Sequence, residues 1–177
     1  MPEITTVGEW LYWSYANLAM AHAAVEKGAN TYLRAHFIIR SRLYKGLTTQ
    51  SMQIGSFLND ERLKMVLPRA CSYCGNAENL SVDHLMPRAR GGVDRPENLV
   101  WACKSCNSAK RDRDLLLWYN TQGKFPPLML LRRYLKIAIE ICLALDVMAH
   151  RLDAAPAMPF ELALVPQSYP RPSELVL

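Results

Sequence analysis

Two C-x-x-C pairs, Cys71/Cys74 and Cys103/Cys106, constrain this chain more than any other feature. A C-x-x-C turn places two thiolates on one metal, and two such turns complete the tetrahedron that zinc prefers. A four-thiolate site is closed, so the zinc expected here is structural. It would staple a segment whose Gly75, Gly91, Gly92 and Pro96 leave only short apolar runs. The competing reading is four unrelated or disulfide-bonded cysteines. Glu3 and Glu9 stand where a secretory leader would carry Lys or Arg. A reducing, cytoplasmic setting is therefore expected, and it favours metal over disulfides. The fifth cysteine, Cys142, lies among apolar residues at helical spacing and reads as a packed small hydrophobe.

The 177 residues are 50% hydrophobic, enough to bury a core as one domain or as a small module with helical additions. The net charge of +5 points mildly to a polyanionic partner. Its surplus reads as spread, with a slight basic excess over 1–68, over 69–114 and over the rest. The longest uncharged apolar run, Trp10 to Val25, contains Ser14, Asn17 and His22. It falls short of the roughly 20 residues a bilayer crossing needs, so a buried helix is expected and no membrane.

Along the chain, Thr6 is a candidate cap for a helix over 6–27 that Gly28 ends. A second helix is expected from about Thr31 to Tyr44 with Gly46 as its breaker, and a short one from Asp60 to Val66 before Pro68. Leu80–Val82 and Leu99–Trp101 read as strands, joined by a loop over PRARGGVDRPEN. Helical character then runs from Ser105 to about Tyr119. A long helix from Leu128 to Leu152 shows Leu131, Leu135, Ile139 and Leu143 every four residues. The last segment, from Ala154, holds five prolines and reads as an extended tail that wraps the body or is mobile. The fold class expected is α+β, mostly helical. Its regions are 1–68 (N-terminal helices), 69–119 (the cysteine-framed core), 120–153 (C-terminal helix) and 154–177 (tail).

Inside the cysteine frame lie Asp83-His84, Asn98 and Asn107. Hydrolysis of a phosphodiester needs a nucleophilic water, a base for its proton and a cation at the phosphate. The ordinary pKa of His84 suits a base near neutral pH. Asp83 offers a hard oxygen to magnesium or a similar ion. Neighbours on a strand face opposite sides, so the two residues are free for separate tasks. Asn107, at a helix start, offers an amide oxygen, and Asn98 is placed to brace the loop after His84. Taken singly, an Asp-His pair is more often a surface or capping pair, and an Asn more often a turn residue.

Together these residues resemble the four-cysteine form of the HNH endonuclease family. The resemblance rests on Cys71/Cys74, Asp83-His84, Pro87 with Gly91-Gly92, Asn98-Leu99, Cys103/Cys106, Asn107 and Lys110, in that order, and covers about 69–119. It implies a ββα-metal finger, His84 as general base, and Asp83 and Asn107 as ligands of a catalytic divalent cation. Asn98 would orient the His84 loop, and duplex DNA would be the substrate. Asn107 stands where the family name implies His, which favours magnesium or manganese there over softer metals.

Lys110, with Arg88 and Arg90, is a candidate for substrate phosphate. Lys110 shares a helix side with Asn107, and a helical pair with Asp114 is an alternative for it. Arg111 and Arg113 are read evenly as substrate contacts or as a solvated face paired with Asp112 and Asp114. Arg132, Arg133 and Lys136 read as an exposed helix face, and Trp10, Tyr12 and Trp13 as core or interface rather than a stacking platform. Three functions remain open: a metal-dependent endonuclease, a non-catalytic zinc-stapled nucleic-acid-binding or interaction module, and a nuclease acting in a homodimer or larger complex through its helical flanks.

Overall fold

A computed structural model describes residues 2–177. Helix α1 (Val7–Glu26) starts at a capping box. The Thr6 hydroxyl accepts the Glu9 N–H at 3.2 Å, and the Glu9 carboxylate accepts the N–H groups of Thr5 and Thr6. Helices α2 (Arg34–Thr48) and α6 (Leu128–Ala144) pack on α1. A short helix α3 (Leu58–Val66) lies against α6 through charged side chains.

The middle of the chain is a small antiparallel sheet of β1 (Leu80–His84) and β2 (Leu99–Cys103), followed by α4 (Lys104–Lys110) and α5 (Leu115–Asn120). The register pairs Leu80 with Cys103 and His84 with Leu99. This strand–loop–strand–helix order is the ββα finger that the family resemblance implies. The fold is α+β and mostly helical.

Finger and helices share one core. Leu85, Val100 and Ala102 of the finger join Leu11, Leu115, Trp118, Tyr134, Leu135 and Ile139 in a single buried cluster. Each fully buried Leu or Ile contributes roughly 1.5–3 kcal/mol, so packing on the helical flanks also holds the finger.

Four departures from the sequence expectation stand out. Helix α2 runs through Gly46 to Thr48. A Cβ at Gly46 would come within 2.5 Å of the Met52 side chain, which would have to move. The expected helix from Ser105 to Tyr119 is two helices. Arg111 takes φ 52° and ends α4, and Asp114 caps α5 by accepting the Leu116 and Leu117 N–H groups. Helix α6 stops at Ala144 instead of Leu152 because the residues beyond it serve α1. The Met148 and His150 carbonyls accept the Gly8 and Val7 N–H groups, which a helix start leaves without partners. Finally, Leu143 is exposed, so the apolar stripe of α6 ends one turn early.

The proline-rich tail wraps α1. Trp10 and Trp13 donate their indole N–H to the carbonyls of Leu162 and Gln167, and Asn17 donates to Gln167 as well. Tyr169 bonds Ser14. Two polar residues of the long apolar run, Ser14 and Asn17, thus find partners in the tail.

Candidate metal centre and active site

The sulfur atoms of Cys71, Cys74, Cys103 and Cys106 all lie within 4.8 Å of one another, and Cys74 and Cys103 are 3.8 Å apart. A tetrahedron with Zn–S bonds of ~2.3 Å has S···S edges of about 3.8 Å, so the four thiols fit zinc. The first pair sits on a turn in which Gly75 N–H bonds the Cys71 carbonyl, with Gly75 at φ 79°. The second pair caps α4. The Cys106 N–H approaches Cys103 Sγ and lowers that thiol to about 7, while burial raises Cys71 and Cys106. Cys142 is buried elsewhere, its thiol pushed up to about 12 by burial.

The cysteine turn also delivers a residue that the sequence reading did not single out. Tyr73, inside the first C-x-x-C, donates its hydroxyl to Asp83 Oδ2 at 2.6 Å. It is held from behind by the Tyr119 hydroxyl on its carbonyl and by an edge-on contact with Trp118. Burial raises the Tyr73 phenol well above its ordinary value, so it stays a donor. A lone Tyr in a metal turn carries no sequence signal for this role.

Residues 81 and 83 share one face of β1, and residues 107 and 110 share one face of α4. These faces meet. Asn107 donates its amide N–H to Ser81 Oγ at 3.2 Å, and Lys110 reaches Asp83 Oδ2 at 3.2 Å. Asp83 Oδ1 accepts the His84 N–H at 2.8 Å. Three hydrogen bonds use three of about four lone-pair sites on the carboxylate, which leaves one on Oδ1. Asn107 has its amide oxygen turned from the Ser81 contact. Carboxylate and amide oxygens are hard donors, the class that magnesium and manganese take.

Lys110 is placed differently from its expected substrate-facing position. It is fully buried, and its ammonium also donates to the His84 carbonyl at 2.8 Å. Burial lowers its pKa against the pull of Asp83. Asp114, the alternative helical partner, instead caps α5 and accepts the Tyr134 hydroxyl at 2.6 Å.

His84 faces the other way. Its Nε2 lies 2.5 Å from Asp94 Oδ1, and Arg88 bonds both oxygens of the same carboxylate. Arg88 holds the Asp94 carboxyl below its usual range. Asp94 was not among the candidates, and only its place two residues after Gly92 could have marked it. Arg90 pairs with Glu161 of the tail at 3.1 Å. Both loop arginines expected at substrate therefore have protein partners here.

Asn98 is buried and knits the loop between the strands. Its amide oxygen accepts the Met86 N–H at 2.7 Å, and its amide N–H groups donate to the Met86 and Val93 carbonyls. Gly92 makes this loop possible, since a Cβ there would lie 1.8 Å from the Met86 carbonyl oxygen. The far side of the loop is held by α3 and α6. Arg133 donates to the Glu97 carbonyl and Lys64 to the Pro96 and Leu99 carbonyls.

Arg133 and Lys136 are buried, not exposed. They and Arg132 pair with Glu61 and Asp60 of α3. Arg111 and Arg113 donate to the last carbonyls of α4 rather than to Asp112 or Asp114. With Arg90 they line an open cleft of about 640 Å³ beside that helix.

A two-stranded sheet and helix clamped by four thiols, with an Asp-His pair at the end of the first strand, define the class of ββα-metal fingers. Residues 71–113 match the family model for HNH endonuclease, and this segment is an HNH finger. Comparison with curated proteins and with solved structures returns no match. No helix of the described residues is long and apolar enough to cross a membrane.

Proposed function

We propose that the chain is a metal-dependent endonuclease that hydrolyses phosphodiester bonds in DNA, preferably duplex. The observation that carries this reading is the two-sided end of β1. Asp83 turns toward Asn107's helix, while His84 turns to the opposite side, inside a segment matched by the HNH family. Zinc holds the frame and takes no part in the reaction. A divalent cation held by Asp83 and Asn107 would supply positive charge to the phosphate and its leaving oxygen. His84 takes the proton from the attacking water at a ring nitrogen. Asp94 orients that ring at rest and releases Nε2 when a phosphate arrives at Arg88. Asn98 keeps the His84 loop from shifting, and Tyr73 and Lys110 fix the Asp83 carboxylate.

The test is nicking of supercoiled plasmid by the zinc-loaded protein across a magnesium and manganese series. His84→Ala should fold and lose at least ~100-fold in rate, the usual scale of general-base loss. Unchanged cleavage by His84→Ala would rule this mechanism out.

A second reading, a non-catalytic zinc-stapled binding module, is favoured by one observation. Tyr73 and Lys110 both sit on Asp83 Oδ2, where a cation would otherwise compete. Plasmid binding without strand breaks at any metal concentration would support it.

A further inference from the structure

Residues 27–59 contain Lys27, Arg34, Arg40, Arg42 and Lys45 and no Asp or Glu. This segment carries +5, against −3 for residues 1–26 and +3 for residues 60–177, and it is the longest acid-free stretch of the chain. Four of its five cations lie on α2, which packs on α1 through a narrow buried side and exposes the rest. Arg40 belongs to the fold, since its guanidinium lies over the Trp13 and Phe37 rings and bonds Asn17. Arg34, Arg42 and Lys45 are exposed, and none forms an ion pair with a described residue.

At 100° per residue, these three cations fall within an arc of about 80° and span about 16 Å of the helix axis. Two features cost the helix. Arg34 opens α2, where the dipole favours acids, and the first turn has none. Arg42 and Lys45 are like charges three apart on one side, although Lys45, in the last turn, itself suits the dipole. A polyanion laid along the stripe would relieve both costs.

We infer that the Arg34–Arg42–Lys45 stripe of α2 binds the phosphate backbone of duplex DNA, as a second contact outside the HNH finger. The inference rests on the endonuclease reading for the identity of the polyanion. A 16 Å stripe corresponds to about five steps of a DNA strand at ~3.4 Å each. An anionic membrane fits less well, because a surface-lying helix needs one apolar face. The exposed Phe37, Ile38 and Ile39 are consecutive, so they point in directions about 100° apart.

The experiment is fluorescence anisotropy of the zinc-loaded full chain on a labelled 30-base-pair duplex, without magnesium or manganese, from ~50 to 200 mM salt. The variant is Arg34→Gln/Arg42→Gln/Lys45→Gln, since Gln keeps helix propensity. Circular dichroism and thermal melting check its fold. Loss of three phosphate contacts should reduce the slope of log K on log salt by about 2.7, at ~0.9 per contact, and weaken binding at least ~tenfold. Neutralising the exposed Arg62, Lys124 and Arg171 together should change the slope by less than ~1.

A triple variant with wild-type slope and affinity overturns the inference. So does a wild-type protein whose α2-dependent partner is an anionic phosphatidylserine vesicle while its duplex binding is unaffected. Plasmid nicking separates the two readings. Binding with an α2-dependent slope but no cleavage defeats the nuclease and leaves the stripe standing; cleavage with an α2-independent slope does the reverse.

Discussion

Replacing Lys110 with Met tests whether this lysine holds the finger together or faces substrate. The ammonium is fully buried and makes two hydrogen bonds, to Asp83 at 3.2 Å and to the His84 carbonyl at 2.8 Å. Bonds of this charge-assisted kind contribute about 1.5–3 kcal/mol each. Removing one partner of a buried pair typically costs about 3–5 kcal/mol, because the other charge is stranded. Asp83 keeps the Tyr73 hydroxyl and the His84 N–H, so the low end applies, about 3 kcal/mol. With a urea m-value of about 2 kcal/mol per molar, the midpoint of the zinc-loaded protein should fall by about 1.5 M. Met matches the buried stem, so lost packing adds little. Adding Asp83→Asn should cost less than the sum of the single changes, by about 0.5–3 kcal/mol. A Lys110→Met midpoint within about 0.3 M of wild type, together with weakened DNA binding, would refute the buried pair and return Lys110 to the substrate side.

Three further outcomes follow from the same geometry. Cys71→Ser should lose zinc and unfold at markedly lower temperature, read by metal content and calorimetry; a folded, zinc-free, active variant would remove the structural role of the cysteines. Gly92→Ala places a Cβ 1.8 Å from the Met86 carbonyl oxygen, so the loop must open. It should lose about 2–3 kcal/mol in urea unfolding and most of its nicking rate. Asp60→Asn strands Arg132 and Lys136, both bound to a carboxylate that is 4% exposed, and should cost about 3–5 kcal/mol in urea unfolding.

The elements that were legible in the sequence are those whose signal is local. The Thr6 cap, the two C-x-x-C turns and the order strand, strand, helix all rest on neighbours a few residues apart. Tertiary partners decided the rest. Nothing local shows that the Met148 and His150 carbonyls are needed at the start of α1, so α6 looks eight residues longer than it is. Arg133 and Lys136 read as solvent-facing because charge usually is, yet Asp60 and Glu61 of α3 draw them inside. Tyr73 and Asp94 touch Asp83 and His84 from ten positions away in the chain, a distance at which no periodicity operates. The slight basic excess over each region holds, but windows that wide hide the acid-free stretch 27–59, whose charge is averaged against the acids on either side of it.

The cysteine frame and the Asp83 carboxylate are mechanically one unit. Cys71 and Cys74 fix the turn that contains Tyr73, and the Tyr73 hydroxyl fixes Asp83 Oδ2. Cys103 and Cys106 fix the start of α4, and that helix supplies Asn107 to Ser81 and Lys110 to Asp83. Both halves of the zinc site therefore end, one residue later, on the same strand. Zinc loss should then disturb the position of Asp83 before the shared core opens, because α1, α5 and α6 supply most of that core from outside the cysteine frame. A chelator titration should lose nicking activity while far-UV dichroism is still near its starting value. Simultaneous loss of both signals would mean that the finger and the helices unfold as one, with no separate role for the Tyr73 link.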